Sequence, residues 1–290
     1  MPPGDLLTRP GQVQYGDLLL GRGTPYRWAD LTGWGELPAL DSGTVQRPDA
    51  HGAIPGLLLA QARTIGLEGL IVRARAAELG AVVGRFESGT VPVVDELPLV
   101  IWVDERGPLL CWARCVRRAL PIGKGYNTGT LTEGAVEWEA SDPRRYALDE
   151  QTAKAGLPAP EPGLSWPLAW PLDWGKPGES GALSVTNRGN AATHPVIEFR
   201  GPMTRPSLTN IGSGDTLEYD LPLGVDDVLT VDTLAGTATL NGTASRLYAV
   251  TARSMPEQTY VFPPGETTLV LRATGGPDAS VAVRYRAAFW

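Results

Sequence analysis

Histidine, cysteine and lysine are nearly absent: the 290-residue chain holds two, two and three of them. Each scarcity closes off a class of chemistry. A Ser/His/Asp relay would have to use His51 or His194. His51 lies in "RPDAHGAIPG", two residues from Asp49, but no Gly-x-Ser-x-Gly elbow exists to supply a nucleophile. His194 directly precedes Pro195. Both read as loop residues. Cys111 and Cys115 sit in "LLCWARCVRRAL", which reads as a strand. On one strand face their Cα atoms stand about 13 Å apart, beyond disulfide reach, so two reduced thiols are expected. No zinc-ligand spacing joins them to the distant histidines. An EF-hand loop and a phosphate loop are missing as well, since "PIGKGYNTG" lacks the required register. Gly21-Arg22-Gly23 lacks the third glycine and the helix of a dinucleotide site. No cofactor is expected.

Long apolar runs are also lacking. The longest of note, Pro98–Val103, is far short of a membrane span, so no membrane insertion is expected. Met1-Pro-Pro-Gly-Asp shows no basic or apolar leader region, which suggests synthesis in a cytoplasm. Basic and acidic side chains number 25 and 32, for a net charge of −7, and no basic cluster stands out. Tight nucleic-acid binding is therefore not expected.

What is abundant is glycine (35) and proline (26), in a chain that is 42% hydrophobic. That mixture suits short strands joined by many turns. "QVQYGDLLLG", "TPYRWADLTGW", "RTIGLEGLIVRARAA", "LPLVIWVD", "GPLLCWARCVRRALPI" and "GAVEWEAS" are successive strand candidates. In the third, Ile65, Leu67, Gly69 and Ile71 share one face under strict alternation. "ARAAELGAVVGRFES" has room for a short helix, which Gly80 and Gly84 weaken.

The fold class expected is mainly β. Residues 1–155 form a β-rich, sandwich-like domain. Residues 156–180 form a connecting arm in which six prolines forbid a regular helix, and residues 181–290 form an antiparallel β-sandwich. Within the arm, Trp166, Trp170 and Trp174 recur every fourth residue. They suit either a stacking platform for sugars or an aromatic seam between domains, and the seam is the preferred reading because large aromatics usually bury. In the last domain, "HPVIEFRG" alternates, and Asn241-Gly242 between "TATL" and "TASRLYAVTA" is a strong hairpin signal.

One pair of residues tests the enzyme reading. Glu137 and Glu139 in "AVEWEASDPRRYAL" would present carboxylates about 7 Å apart on one strand face, the spacing of an inverting glycosidase. Any Glu-x-Glu strand meets that condition. Val136, Trp138 and Ala140 alternate with them, so a half-buried strand ending at Asp142-Pro143 accounts for the pattern without catalysis.

Three segments carry a family likeness: "VQYGDLLLGRGTPYRWADLTGW", "RPDAHGAIPGLLLAQARTIGLEGLIV" and "VEWEASDPRRY". In order and spacing they resemble the siphophage distal tail proteins, the ring proteins of the baseplate hub. "SVTNRGNAATHPVIEFRGP" and "VFPPGETTLVLRATGG" resemble the start and a late hairpin of that family's second domain. The matching motif residues are Arg47, His51, Gly52, Arg63 and Gly69, then Asp142 and Pro143, in structural roles. The resemblance implies an N-terminal ring domain and a C-terminal galectin-like β-sandwich projecting outward, with no catalysis. It implies a hexameric ring at the tail tip of the virion. Its partners would be further copies, the tail tube protein, a tail-hub or tail-associated protein, and receptor-binding proteins. Arg144 and Arg145 are candidate interface residues, pairing with acids such as Glu137 and Glu139 across the ring. The competing reading is a carbohydrate-binding module for the host cell wall.

Overall fold

The computed structural model describes residues 2–159 and 180–290, which fall into two compact units dividing after Leu148. The first opens with β1 (Gln12–Tyr15), β2 (Leu18–Gly21), β3 (Tyr26–Arg27) and β4 (Asp30–Thr32). Four two-residue strands follow: β5 (Leu40–Asp41), β6 (Val45–Gln46), β7 (Ala53–Ile54) and β8 (Leu59–Ala60). The long elements are β9 (Arg63–Arg73), α1 (Leu79–Gly89), β10 (Leu97–Trp102), β11 (Leu109–Ala119) and β12 (Thr130–Ala140), and β13 (Arg145–Ala147) ends the unit.

The main antiparallel sheet runs β2-β1-β10-β11-β12-β9-β3, with β4 also on β9 and β13 on β11. Its two end strands, β2 and β3, are successive in the chain and adjacent in space, so the sheet curls almost into a barrel. This corrects the sandwich-like expectation for the first domain. A single curled sheet turns the inward faces of β1, β9, β11 and β12 toward one another, and Val13, Ile65, Leu67, Cys111 and Trp138 fill the interior. The cysteines are free and both point inward, as their spacing on one strand face requires.

Alternation fails in the middle of β9. Ile65 and Leu67 point inward, but beyond Gly69 the buried residues are Leu70 and Val72, and Ile71 turns away. Leu67 pairs with Val136 and Leu70 with Gly134, so β9 carries one extra residue; Val72 pairs with Leu131, so β12 then carries one back. Each bulge has a left-handed residue, Gly69 (φ +62°) and Glu133 (φ +62°). The helix forms despite its glycines. Gly80 and Gly84 have open space around them, whereas Leu79 and Phe86 are buried and Tyr26 donates its hydroxyl to the Val82 carbonyl at 2.7 Å.

The second unit begins at β14 (Gln151–Gly156), which the sequence placed at the end of the first domain. It continues with β15 (Ala182–Asn187), β16 (Val196–Arg200), β17 (Met203–Asn210), β18 (Thr216–Glu218), β19 (Pro222–Leu223), β20 (Val228–Asp232), β21 (Thr237–Leu240), β22 (Ala244–Ser245), β23 (Gly265–Gly275) and β24 (Ser280–Tyr285). One antiparallel sheet runs β14-β24-β16-β20-β21-β22 and the other β15-β23-β17-β18, with β19 beside β17. The two share one core, in which Ile197, Phe199, Leu208, Leu269, Val281 and Val283 are fully buried. Asn241 (φ +50°) and Gly242 (φ +74°) form the turn between β21 and β22.

Candidate assembly site

The most unusual surface of the first unit is residues 37–62. β5 pairs with β8 and β6 with β7, so this stretch is a narrow two-stranded arm. Pro38, Pro48 and Pro55 cannot donate to a ladder, which keeps the strands short. Gly43 (φ +50°) and Gly52 (φ +93°) adopt left-handed turns. The arm leaves its apolar side chains in solvent: Leu57 is 80% exposed, and Leu37, Val45, Ile54, Leu58 and Leu59 are each more than half exposed. Six large exposed aliphatic side chains in one short segment are the kind of apolar exposure that suits a contact surface. Sequence reasoning did not separate the arm from the strands around it. The proline spacing and the consecutive Leu57-Leu58-Leu59 run were the available signal.

Arg47, His51 and Gly52 lie at the distal turn, where the Arg47 amide donates to the Gly52 carbonyl at 3.2 Å. Both side chains are exposed. Arg63 and Pro143 meet at the other end of the arm. Arg63 opens β9 directly after the arm and is only 1% exposed. Its Nε donates to the Pro143 carbonyl at 2.7 Å, and its Nη1 donates to the carbonyls of Gly33 and Glu36 at 2.7 Å each, with that of Trp34 at 3.4 Å. Burial, reinforced by the neighbouring Arg145, lowers the Arg63 pKa from its ordinary value. The charge is held by carbonyl dipoles instead of by a carboxylate. Arg145 donates from Nη1 to the Trp34 carbonyl at 2.7 Å and lies over the Trp34 ring, 5.5 Å from its centroid.

Asp142 caps the turn that ends β12. Its carboxylate accepts from the Arg144 amide at 3.2 Å and the Arg144 Nε at 2.7 Å, and Tyr146 donates its hydroxyl to the same carboxylate. Arg144 and Arg145 are thus engaged within the chain. Within the chain, Glu137 and Glu139 pair with other arginines: Arg117 lies 2.7 Å from Glu137 and Arg114 lies 2.7 Å from Glu139, across β11 and β12. Each acid of the suspected glycosidase pair is an ion-pair partner on a half-exposed strand face. Gly69 allows the bulge described above, and a Cβ there would lie 2.8 Å from that of Ala29. Trp166, Trp170 and Trp174 lie outside the described residues. Among the described residues, no group of three His, Cys, Asp or Glu side chains could hold a metal ion, and no helix is long and apolar enough to cross a membrane.

Residues 188–289 match the family described as the siphovirus-type tail component, C-terminal domain. That match lies within the second unit. The resemblance stated from the sequence motifs is borne out there. The chain is similar in fold to the Dit (gp 19.1) of phage SPP1, described as a paradigm of the hub adsorption apparatus in phages infecting Gram-positive hosts. That similarity has a TM-score of 0.65 at 16% identity, over 96% of this chain and 99% of that one. Chains of the phage P2 baseplate in its activated conformation with Ca and with Sr are also similar in fold, with TM-scores of 0.50 and 0.51 and identities of 11% and 12%. Each match covers 94% of this chain and 96% of the other. No curated protein sequence matches the chain.

Proposed function

We propose that this chain is a distal tail protein: a structural, non-enzymatic ring protein at the tail tip of a tailed phage, closed by an arm-to-neighbour contact. The observation that carries the reading is the exposed apolar arm. Covering its six large aliphatic side chains would contribute on the order of 10 kcal/mol per contact, before the costs of association. An arm that reaches a different surface on the next copy makes a heterologous contact, and such contacts form a ring when the rotation between copies closes and a filament when it does not. The hub and baseplate roles in the descriptions of the similar phage structures support the same role here.

In this reading the first unit supplies a hexameric ring on the tail tube, whose lumen passes the genome without gripping it. The second unit is a galectin-like sandwich that serves as a platform for a tail-hub or tail-associated protein and for receptor-binding proteins. Residues 156–180, expected from the sequence to be an arm between domains, fall within the second unit, between β14 and β15, because β14 already belongs to that unit. Native mass spectrometry with negative-stain imaging tests the ring. Six-fold rings are expected for the intact protein and monomers after residues 37–60, which hold all six side chains, are replaced by Gly-Gly. Protein that stays monomeric at every concentration and does not bind the ends of purified tail tubes would refute the ring.

A further inference from the structure

We infer that Arg63 is a positioning residue that fixes the direction of the assembly arm. The inference rests on the ring reading above. The arm leaves the barrel after Glu36 and returns at Arg63 itself, so one guanidinium ties the outgoing chain to the incoming one. The outgoing root is also held by the backbone: Gly33 (φ +73°) passes so close to β9 that a Cβ would overlap the Thr64 carbonyl oxygen. Trp34 is buried next to it. A third strand end joins through Pro143, so the arm root, the start of β9 and the Asp142-Pro143 turn share one hub. Above the hub the arm's own bonds are few among the described residues: the two short ladders, the Gln61 amide to the Ala39 carbonyl at 2.8 Å, the Arg47 amide to the Gly52 carbonyl at 3.2 Å, and two local side-chain bonds, from the Gly43 amide to Asp41 at 3.4 Å and from the Thr44 hydroxyl to the Ser42 carbonyl at 3.5 Å. An arm with so few bonds of its own takes its direction from its base.

The guanidinium is needed for its shape. Donors in a planar fork reach carbonyls on several sides, whereas a lysine ammonium is a point charge on a flexible stem. Arg63→Met and Arg63→Lys should therefore fold yet present a swinging arm.

The experiment compares the full-length protein with Arg63→Met, Arg63→Lys and the 37–60 deletion, by native mass spectrometry over a concentration series and by hydrogen exchange. Both Arg63 variants are expected to need at least about tenfold more protein to form rings, and their Gln61 amide to exchange at least about tenfold faster, with Leu67 and Val136 unchanged. Folded Arg63 variants that assemble and exchange like the intact protein would overturn the inference. If the deletion fails to assemble while Arg63→Met assembles normally, the inference falls alone and the ring reading stands. If the deletion itself forms rings, the arm reading falls instead. If the intact protein does not assemble, the Gln61 exchange rate decides: unchanged in Arg63→Met, it overturns the inference. If neither Arg63 variant folds, the intact protein decides: a Gln61 amide nearly as slow as Leu67 supports a fixed root, and one as fast as Arg47 refutes it.

Discussion

The same substitution should have opposite effects at two glycines of the first unit. Gly69→Ala places a side chain at φ +62°, where an L-residue costs roughly 1–2 kcal/mol. The new methyl would also stand 2.8 Å from the Ala29 Cβ. Ala29 gives way poorly, because its amide is bonded to the Glu68 carbonyl at 3.0 Å, and overpacking of this sort costs about 1–3 kcal/mol. The sum is about 3 kcal/mol, or a fall in melting temperature of roughly 6–12 °C for a unit of this size. Gly84 is helical with nothing within 4 Å of a Cβ, so Gly84→Ala should raise stability by about 1 kcal/mol. Scanning calorimetry and urea unfolding of both variants provide the assay. Adding Ala29→Gly to Gly69→Ala separates the two costs: it should recover the steric part and leave the backbone part. The reasoning fails if Gly69→Ala costs less than about 0.5 kcal/mol, or if Ala29→Gly recovers nothing.

Two further outcomes follow from the charges and the buried tyrosines. In a double-mutant cycle, Arg117 and Glu137 should couple by only ~0.2–1 kcal/mol, because the pair is part-exposed; a coupling above about 2 kcal/mol would assign it a larger role. Burial, aided by the hydrogen bond to Glu257, raises the pKa of Tyr219 above its ordinary 10.0, and burial raises that of Tyr260 in the same unit. The unfolded chain therefore releases protons first as pH climbs past about 10, and stability present below that pH is lost above it. By pH 11 the loss should reach about 1.4 kcal/mol per tyrosine. Urea midpoints between pH 9 and pH 11 measure it, and Tyr219→Phe should remove about half of the second unit's decline. A flat profile over that range would contradict the burial.

Where local chemistry and packing agree, the sequence is easy to read. "HPVIEFRG" buries Ile197 and Phe199 as its alternation requires. Asn-Gly at 241–242 turns a hairpin, and Pro143 lies beyond the end of β12 because it has no amide to donate. The slip in β9 is harder to read. Strict alternation puts Ile71 inside, and only the partner strand shows that Gly69 and Glu133 insert compensating residues. The helix is a similar case: its glycines lower its propensity, and the burial of Leu79 and Phe86 outweighs them.

The candidate site divides in the same way. Arg63, Asp142 and Pro143 were marked by a family pattern. That a fully buried guanidinium joins the last of these to both roots of an arm depends on residues 30 positions upstream and 80 downstream. By itself the sequence determined the β class, the turns, the tail-component resemblance and the absence of catalytic spacings, because each depends on residues near in the chain. Only the tertiary structure decided that the first sheet curls on itself, that Glu137 and Glu139 serve Arg117 and Arg114, and that residues 37–62 stand clear of the barrel. Those outcomes depend on which distant strands pair, and pairing is a property of the packed chain.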